Sequence, residues 1–351
     1  MSKSIKICTL AKKIGVALFG VRGPMGLKAA TSLQRSPYVS DLAVYSDIQT
    51  VSKLNALKDM NPACRFRAYA DDLYVRDVLK YADIVVLSPD DCGDTTGDKC
   101  DVFGRKAEQM EKLAKDISKY RPEAWTVVAE RPVNSMVPLV SEVYRRNGTL
   151  DVSTVFGLMT TQVLKANALV ARVLCAGPES VNVPIVGGNS AETCVPIVSS
   201  VLPLADYSPD ELCKLYKRIQ SAEIIHEDGV SFDVGVFRFV DHLAQAMMGM
   251  TSGNEEEPIN ALIRCDVLPG VRYMSTQIVL GQQGVKKVLS LPKMSADEMC
   301  MMDRAVVALR EDIEMGLAFA NRGKTKCQLL KELYPPTKKL EKTPRSCTET
   351  K

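Results

Sequence analysis

The sequence predicts an α/β fold, a doubly wound parallel sheet in the first half followed by an α+β segment. Three observations carry this. From Ile14 a nearly continuous apolar run, IGVALF, enters the turn GVRGPMG, with Gly20, Gly23 and Gly26 where a dinucleotide-binding turn needs residues without side chains. Beyond it, apolar and helical runs alternate as far as Pro132, the pattern of parallel strands joined by crossover helices. Later, RCDVL, RYMSTQIVLG and KKVLSL follow one another with no helix between, which reads as antiparallel, and a long helical stretch closes the chain.

Taken in order, the first unit is strand, glycine turn, helix and strand, ending at DLAVYSD, an acidic residue about 20 residues beyond the turn. This context makes it a Rossmann-type βαβ unit. Pro24 stands near the first helical position, where a missing N–H costs little, and Arg22 adds a positive charge. A helix over Val51 to Met60, the strand FRAYA, a helix ending near Lys80 and the strand ADIVVLSP follow. Ser88 to Asp101 is polar and glycine-bearing, a loop at a strand's carboxyl end, where such sheets bind ligands and carry lids.

Helical spacing returns from Val102 to Tyr120, TVVAERPVN gives a short strand, and Pro132 to Arg146 gives another helix. The second half starts near Val152. There VFGLMTTQVLKANALVARVL reads as an amphipathic helix after a turn, and VNVPIVGGNSAETCVPIVSSV as two β runs around a glycine turn. Lys214 to Gln220 and Val236 to Met250 read as helices, and Ser295 to Asn321 as the closing helix, with Asp297 and Glu298 in its first turn. The basic leader, residues 1–13, reads as a solvated segment with a short organelle-targeting peptide as the alternative; the Lys- and Pro-rich tail, residues 324–351, reads as solvated.

Composition narrows the function classes. At 351 residues, 46% hydrophobic and 25% charged, the chain is long enough for two cores. Lys and Arg total 45 against 42 acids, so no large nucleic-acid-binding field is implied. No apolar run approaches the roughly 18 residues that span a bilayer, so a soluble chain is expected. Eleven cysteines without CxxC pairs suit a reducing compartment, cytoplasm or an organelle matrix such as the mitochondrion, and supply no zinc signature. Cys92 and Cys100 flank the polar loop and read as ordinary loop thiols, with redox sensitivity as the sharper alternative. Only His226 and His242 are present, a constraint on any enzyme that moves protons near neutral pH.

Several segments together resemble NAD-dependent malate dehydrogenases of the lactate/malate dehydrogenase superfamily: RPVNSMVPLVSEV from Arg131, FGLMTTQVLKANALVA from Phe156, VPIVGGNSAETCVPIVS from Val183, FRFVDHLAQAM from Phe237 and YMSTQIVLGQQGVKKV from Tyr273. The resemblance runs from about Ile14 to Asn321 in the family's order. It implies a Rossmann dinucleotide-binding domain over residues 14–149 and the family's α+β C-terminal domain over 150–323. It also implies NAD as cofactor, no metal, and a homodimer or homotetramer.

The chemistry that the resemblance implies needs a base for the hydroxyl proton, an acid that orients it, and arginines that hold the substrate's carboxylates. At each matching position this chain differs. The histidine of the family's GGH motif falls on Asn189, and its aspartate partner on Gln162. Lys165 stands for a substrate arginine, keeping charge but losing the planar fork. Arg131 stands for a substrate-binding asparagine, and the loop arginines fall on Gly93 and Lys99. Acid–base assistance alone contributes about 10²–10⁴ in rate, so losing base, orienter and clamp together predicts a pseudoenzyme that binds or scaffolds. The alternatives are an active oxidoreductase on a divergent 2-oxo acid and a structural subunit of a larger assembly.

The resemblance carries Gly20, Gly23, Met25 and Gly26 into the cofactor site, with further departures. A gapless match puts Ser46, not Asp47, at the ribose-binding carboxylate, and one residue's slip on a strand turns a side chain to the other face. Lys106 replaces an asparagine that meets the cofactor, and Phe232 a methionine near the nicotinamide. Arg22, Lys106 and Arg131 equally suit another anionic ligand.

Overall fold

The computed structural model describes residues 14–20, 23–55, 58, 60–87, 99–221, 231–250 and 257–322. The turn residue Arg22, the loop bearing Cys92 and Gly93, His226, the basic leader and the tail from 323 lie outside them. Met1–Ala320 falls into one unit and Asn321–Lys351 into a second.

Within the first unit, short apolar runs become β1 (Ile14–Phe19), β2 (Val39–Tyr45), β3 (Arg65–Tyr69), β4 (Ile84–Leu87), β5 (Trp125–Val128) and β6 (Val155–Leu158). They pair in parallel in the order β3-β2-β1-β4-β5-β6. All four residues of β4, β5 and β6 are buried, as a sheet covered on both faces requires. The order reverses at β1 and β4, which opens a crevice beyond their carboxyl ends.

The sheet then changes character without ending. β9 (Ile259–Leu268) joins β6 antiparallel, and β10 (Val271–Gly281) pairs with β9, with β7 (Ile185–Gly187) and with β11 (Gly284–Val288); β8 (Cys194–Pro196) pairs with β7. Among the described residues this makes one sheet of eleven strands. The helices are α1 (Gly23–Gln34), α2 (Ile48–Leu54), α3 (Val75–Leu79), α4 (Lys99–Tyr120), α5 (Val133–Asn147), α6 (Thr160–Val173), α7 (Pro209–Gln220), α8 (Phe232–Met247) and α9 (Ala296–Ala320).

Helix boundaries follow capping chemistry more than periodicity. Asp47 caps α2 by accepting from the Thr50 amide at 2.9 Å, so that helix starts at Ile48 rather than Val51. Ser208 and Glu211 form a capping box that starts α7 at Pro209, five residues ahead of the expected Lys214. α8 begins at Phe232, ahead of the expected Val236, without a side-chain cap from Ser231. The run from Val155, read as one amphipathic helix after a turn, divides: Val155–Leu158 is strand β6 because it completes the parallel sheet, and α6 starts at Thr160.

Two features hold the second half against the first. Helix α9 crosses α5 closely enough that a Cβ at Gly316 would lie 2.1 Å from the Ser135 carbonyl oxygen, so only glycine fits there. Helix α1 packs on α8, where Ser36 Oγ donates to Asp241 Oδ1 at 2.5 Å.

Candidate functional site

The first part of the site forms where β1 and β2 end. Gly20 follows β1 with φ of 78°, a left-handed backbone that glycine adopts without strain, and α1 begins at Gly23. Pro24 and Met25 lie in the first turn of α1, and Gly26 is buried one residue later. Beside this turn is a cleft of about 720 Å³ lined by Gly20, Tyr45, Ser46, Asp47, Lys53 and Gln109, among others. That volume falls within the range of ordinary small-molecule sites.

The Ser46–Asp47 question receives a geometric answer. The β1–β2 register runs without irregularity from Gly15–Asp41 to Phe19–Tyr45, so no bulge intervenes. Ser46 lies past the strand's end and is 5% exposed, and its amide donates to the Tyr69 carbonyl at 2.9 Å. Asp47, one residue on, is the α2 cap and also accepts from Thr50 Oγ1 at 2.8 Å. Because β2 has ended, strand alternation no longer sends Asp47 away, and both residues reach the cleft. At the rim, Tyr45 donates its hydroxyl to Asp72, which also pairs with Lys112 of α4. The Lys112 and Tyr45 hydrogen bonds hold the Asp72 carboxyl below its ordinary range.

On the other side of the switch point stands an ion pair. Lys106, projecting from α4, pairs with Glu130 at the end of β5. Glu130 is 5% exposed. With Phe19, Gly20, Leu87, Met110 and Leu113, the pair lines a void of about 20 Å³. Sequence reasoning singled out Lys106 and Arg131 but missed Glu130; the available signal was a charged residue ending the apolar run TVVA.

Past β5, Arg131 is exposed and joined to Pro132 by a cis peptide bond. Asn134, two residues further, is buried and organises the floor of the second half-site. Its Oδ1 accepts from the Asn189 amide at 2.7 Å, and its Nδ2 donates to Thr193 Oγ1 at 3.0 Å and Asp312 Oδ2 at 2.9 Å. A Cβ on Gly188 would strike Thr193 Oγ1 at 2.4 Å and Asn134 Oδ1 at 2.7 Å, so the glycine pair before Asn189 is a packing requirement.

The half-buried Asn189 turns its side chain to the backbone: Nδ2 donates to the Leu158 carbonyl at 3.0 Å. Gln162, in the first turn of α6, has a buried Oε1 with no hydrogen-bond partner among the described residues, so the two side chains are not joined. Lys165 is 7% exposed, and its ammonium donates to the Ser221 carbonyl at 2.7 Å and Ser221 Oγ at 2.9 Å, at the end of α7. Its charge is held inside the protein. Nearby, burial pushes the Cys194 thiol up to about 12 against an opposing pull from Lys165.

The remaining expected residues are dispersed. Phe232 is buried at the start of α8; Lys99 is the first residue of α4; Gly93 and His226 lie outside the described residues. His242 sits in α8 with Nδ1 2.6 Å from the Arg238 carbonyl, a local helix contact rather than a place in this floor. Among the described residues, no cluster of His, Cys, Asp and Glu is placed to hold a metal.

The family pattern described as the lactate/malate dehydrogenase NAD-binding domain matches residues 14–157, and that described as the lactate/malate dehydrogenase alpha/beta C-terminal domain matches 162–320. Mitochondrial malate dehydrogenase of Caenorhabditis elegans is 31% identical over 315 residues, covering 87% of this chain and 90% of its own. The Homo sapiens mitochondrial enzyme is 29% identical over 319 residues, covering 87% and 91%. Among solved structures, malate dehydrogenase from Picrophilus torridus superposes with a TM-score of 0.72 at 17% identity, covering 88% of this chain and 98% of that one. A lactate dehydrogenase from Cryptosporidium parvum, complexed with lactic acid and NAD, gives 0.70 at 15% identity, covering 88% and 99%. The two structural likenesses bear on fold alone.

Proposed function

This chain belongs to the lactate/malate dehydrogenase superfamily, and from that premise we propose that it has lost malate/oxaloacetate hydride transfer and acts by binding or scaffolding. The observation that carries the reading is Asn189, whose side chain is bonded to the Leu158 carbonyl, with no bond to Gln162. An amide cannot take a proton from a hydroxyl near neutral pH, and no aspartate stands behind it to stabilise a cation. Lys165 is committed to Ser221, which removes a cation from the substrate's side of the pocket. The test is oxaloacetate-dependent oxidation of NADH by the purified protein, read against a family enzyme. Turnover abolished by altering the cofactor crevice would sink the reading.

Arg131 favours a second reading. An exposed guanidinium at the carboxyl end of β5 suits the bidentate grip of a carboxylate, and supports an oxidoreductase acting on another 2-oxo acid. NADH oxidation across a panel of 2-oxo acids tests it, and silence across the panel removes it. A homodimer or homotetramer belongs to the same proposal, as does a mitochondrial matrix or cytoplasmic location. The names of the relatives support the first compartment, and the thiols Cys194 and Cys265, buried and free, agree with reducing conditions in either.

A further inference from the structure

Helix α8 lends Arg238 and His242 to a cavity of about 310 Å³ that also borders α6, the turn Pro178–Ser180 and the start of β9. It shares no lining residue with the cleft at the glycine turn. Its volume stands at the lower end of small-molecule sites. Val163, Leu164, Val181 and Phe239 give it an apolar wall, while Glu179, Asn182 and Glu257 are exposed and mark its mouth.

Bonds to the backbone orient the polar groups of this cavity. Asn260 is 5% exposed and its Nδ2 donates to the Ile185 carbonyl at 2.7 Å, so the atom it offers to the cavity is Oδ1, an acceptor. His242 Nδ1 stands 2.6 Å from the Arg238 carbonyl oxygen, which only accepts. Nδ1 therefore carries the hydrogen, and the neutral ring offers Nε2 as a second acceptor. Asn167 is set the other way: its Oδ1 accepts from the Val183 amide at 2.9 Å, which leaves Nδ2 as a donor. Charge follows the majority. Two carboxylates, Glu179 and Glu257, line the cavity against one guanidinium, Arg238, whose Nη2 lies 3.3 Å from Glu179. That pair leaves the balance with Glu257, which favours a cation.

We propose that this cavity binds a small organic amine, with an apolar body and a hydroxyl beside the ammonium. The ammonium brings three donors and a charge to Asn260 Oδ1, His242 Nε2 and the Glu257 carboxylate, and the hydroxyl oxygen accepts from Asn167 Nδ2. The body lies along Leu164 and Phe239. A carboxylate of similar shape sets acceptor against acceptor and charge against Glu257, so the cavity selects by the bonds it denies as well as those it makes. This goes beyond the reading of the chain as a non-catalytic binding protein and holds whether or not that reading does.

Calorimetric titration of the full chain with 2-amino-1-phenylethanol as the probe tests it, beside phenylacetate, an anion of similar size. The expected result is saturable binding of the amine, with phenylacetate about tenfold or more weaker. Glu257→Gln, at an exposed position, weakens the amine about threefold to tenfold, and Glu257→Lys reverses the preference between the two probes. His242→Phe keeps a ring, removes the acceptor and weakens the amine by a similar factor, with circular dichroism confirming that each variant is folded. Silence of the amine at millimolar concentration overturns the proposal, as does phenylacetate bound equally well. An amine affinity unmoved in the folded variants places the binding elsewhere and overturns it too. Amine binding confined to a monomeric form, as read by light scattering, means that a second copy of the chain covers the cavity, and likewise overturns it.

Discussion

Asn134 Nδ2 stands 2.9 Å from Asp312 Oδ2, and the two side chains are 2% and 1% exposed. This contact ties α5 to α9, and the same Asn134 amide group carries the Asn189 backbone on its oxygen. The loop that bears Asn189 is therefore held by a buried polar network. Asn134→Ala leaves the Asn189 amide, Thr193 and the Asp312 carboxylate each short of a bond, and is expected to cost about 3 kcal/mol of unfolding free energy. Urea denaturation reads this as a lower midpoint with unchanged slope; a loss below about 0.5 kcal/mol would show that the network is not structural.

On the non-catalytic reading proposed above, placing a histidine and an aspartate at 189 and 162 is not expected to give malate dehydrogenase activity. In Asn189→His with Gln162→Asp, Lys165 still bonds Ser221 and Arg131 still occupies the asparagine's place. Groups that act as a unit contribute little when only some are present. NADH oxidation with oxaloacetate should stay at the level of the unaltered protein. A rise of about 10² or more would refute the argument from the lost carboxylate clamp.

Cys194 offers a pH test with a definite sign. Burial raises its thiol from the ordinary 9.0 to about 12, so in the folded protein it stays protonated where unfolded chains ionise. The stability it contributes is complete below about pH 9 and is lost as pH rises from there toward 12. Near pH 8, iodoacetamide should label the exposed Cys175, Cys213 and Cys300 and spare Cys194, as read by peptide mass spectrometry. Rapid labelling of Cys194 in folded protein would contradict the burial.

Glu298 is fully buried and accepts from the Ser199 amide at 2.9 Å, Ser199 Oγ at 2.5 Å, Tyr216 hydroxyl at 2.9 Å and the Ser295 amide at 2.8 Å. It closes the N-terminus of α9 and locks that helix to the segment after β8 and to α7. Glu298→Ala should cost about 3–4 kcal/mol, and Glu298→Gln, which keeps the shape but replaces one acceptor with a donor, roughly half of that. Equal losses in thermal unfolding would mean that volume, not hydrogen bonding, sets the effect.

Much of the fold was legible because its signals are local. IGVALF, ADIVV and TVV are short apolar runs, the turn at Gly20 marks the first crossover, and spacing alone outlined α4, α5 and α9. Strand β6 was not separable from α6 by pattern, since four buried residues before a helix have no period of their own; pairing with β5 and β9 makes them a strand. The site divided the same way. Asn189, Gln162 and Lys165 could be read as substitutions, but Asn134, Asp312 and Glu130 took their roles only from contacts across distant parts of the chain.

By itself the sequence determined ancestry, the glycine turn and the identity of each altered side chain, because those are properties of residues at their own positions. It also holds only two histidines, His226 and His242. Only the tertiary structure decided where those side chains point. Lys165 turns to Ser221, Asn189 to Leu158, and Lys106 to a carboxylate 24 residues away, and each choice follows from the buried partner that each polar group finds. Burial makes such pairing obligatory, and pairing partners are set by packing, which no local pattern records.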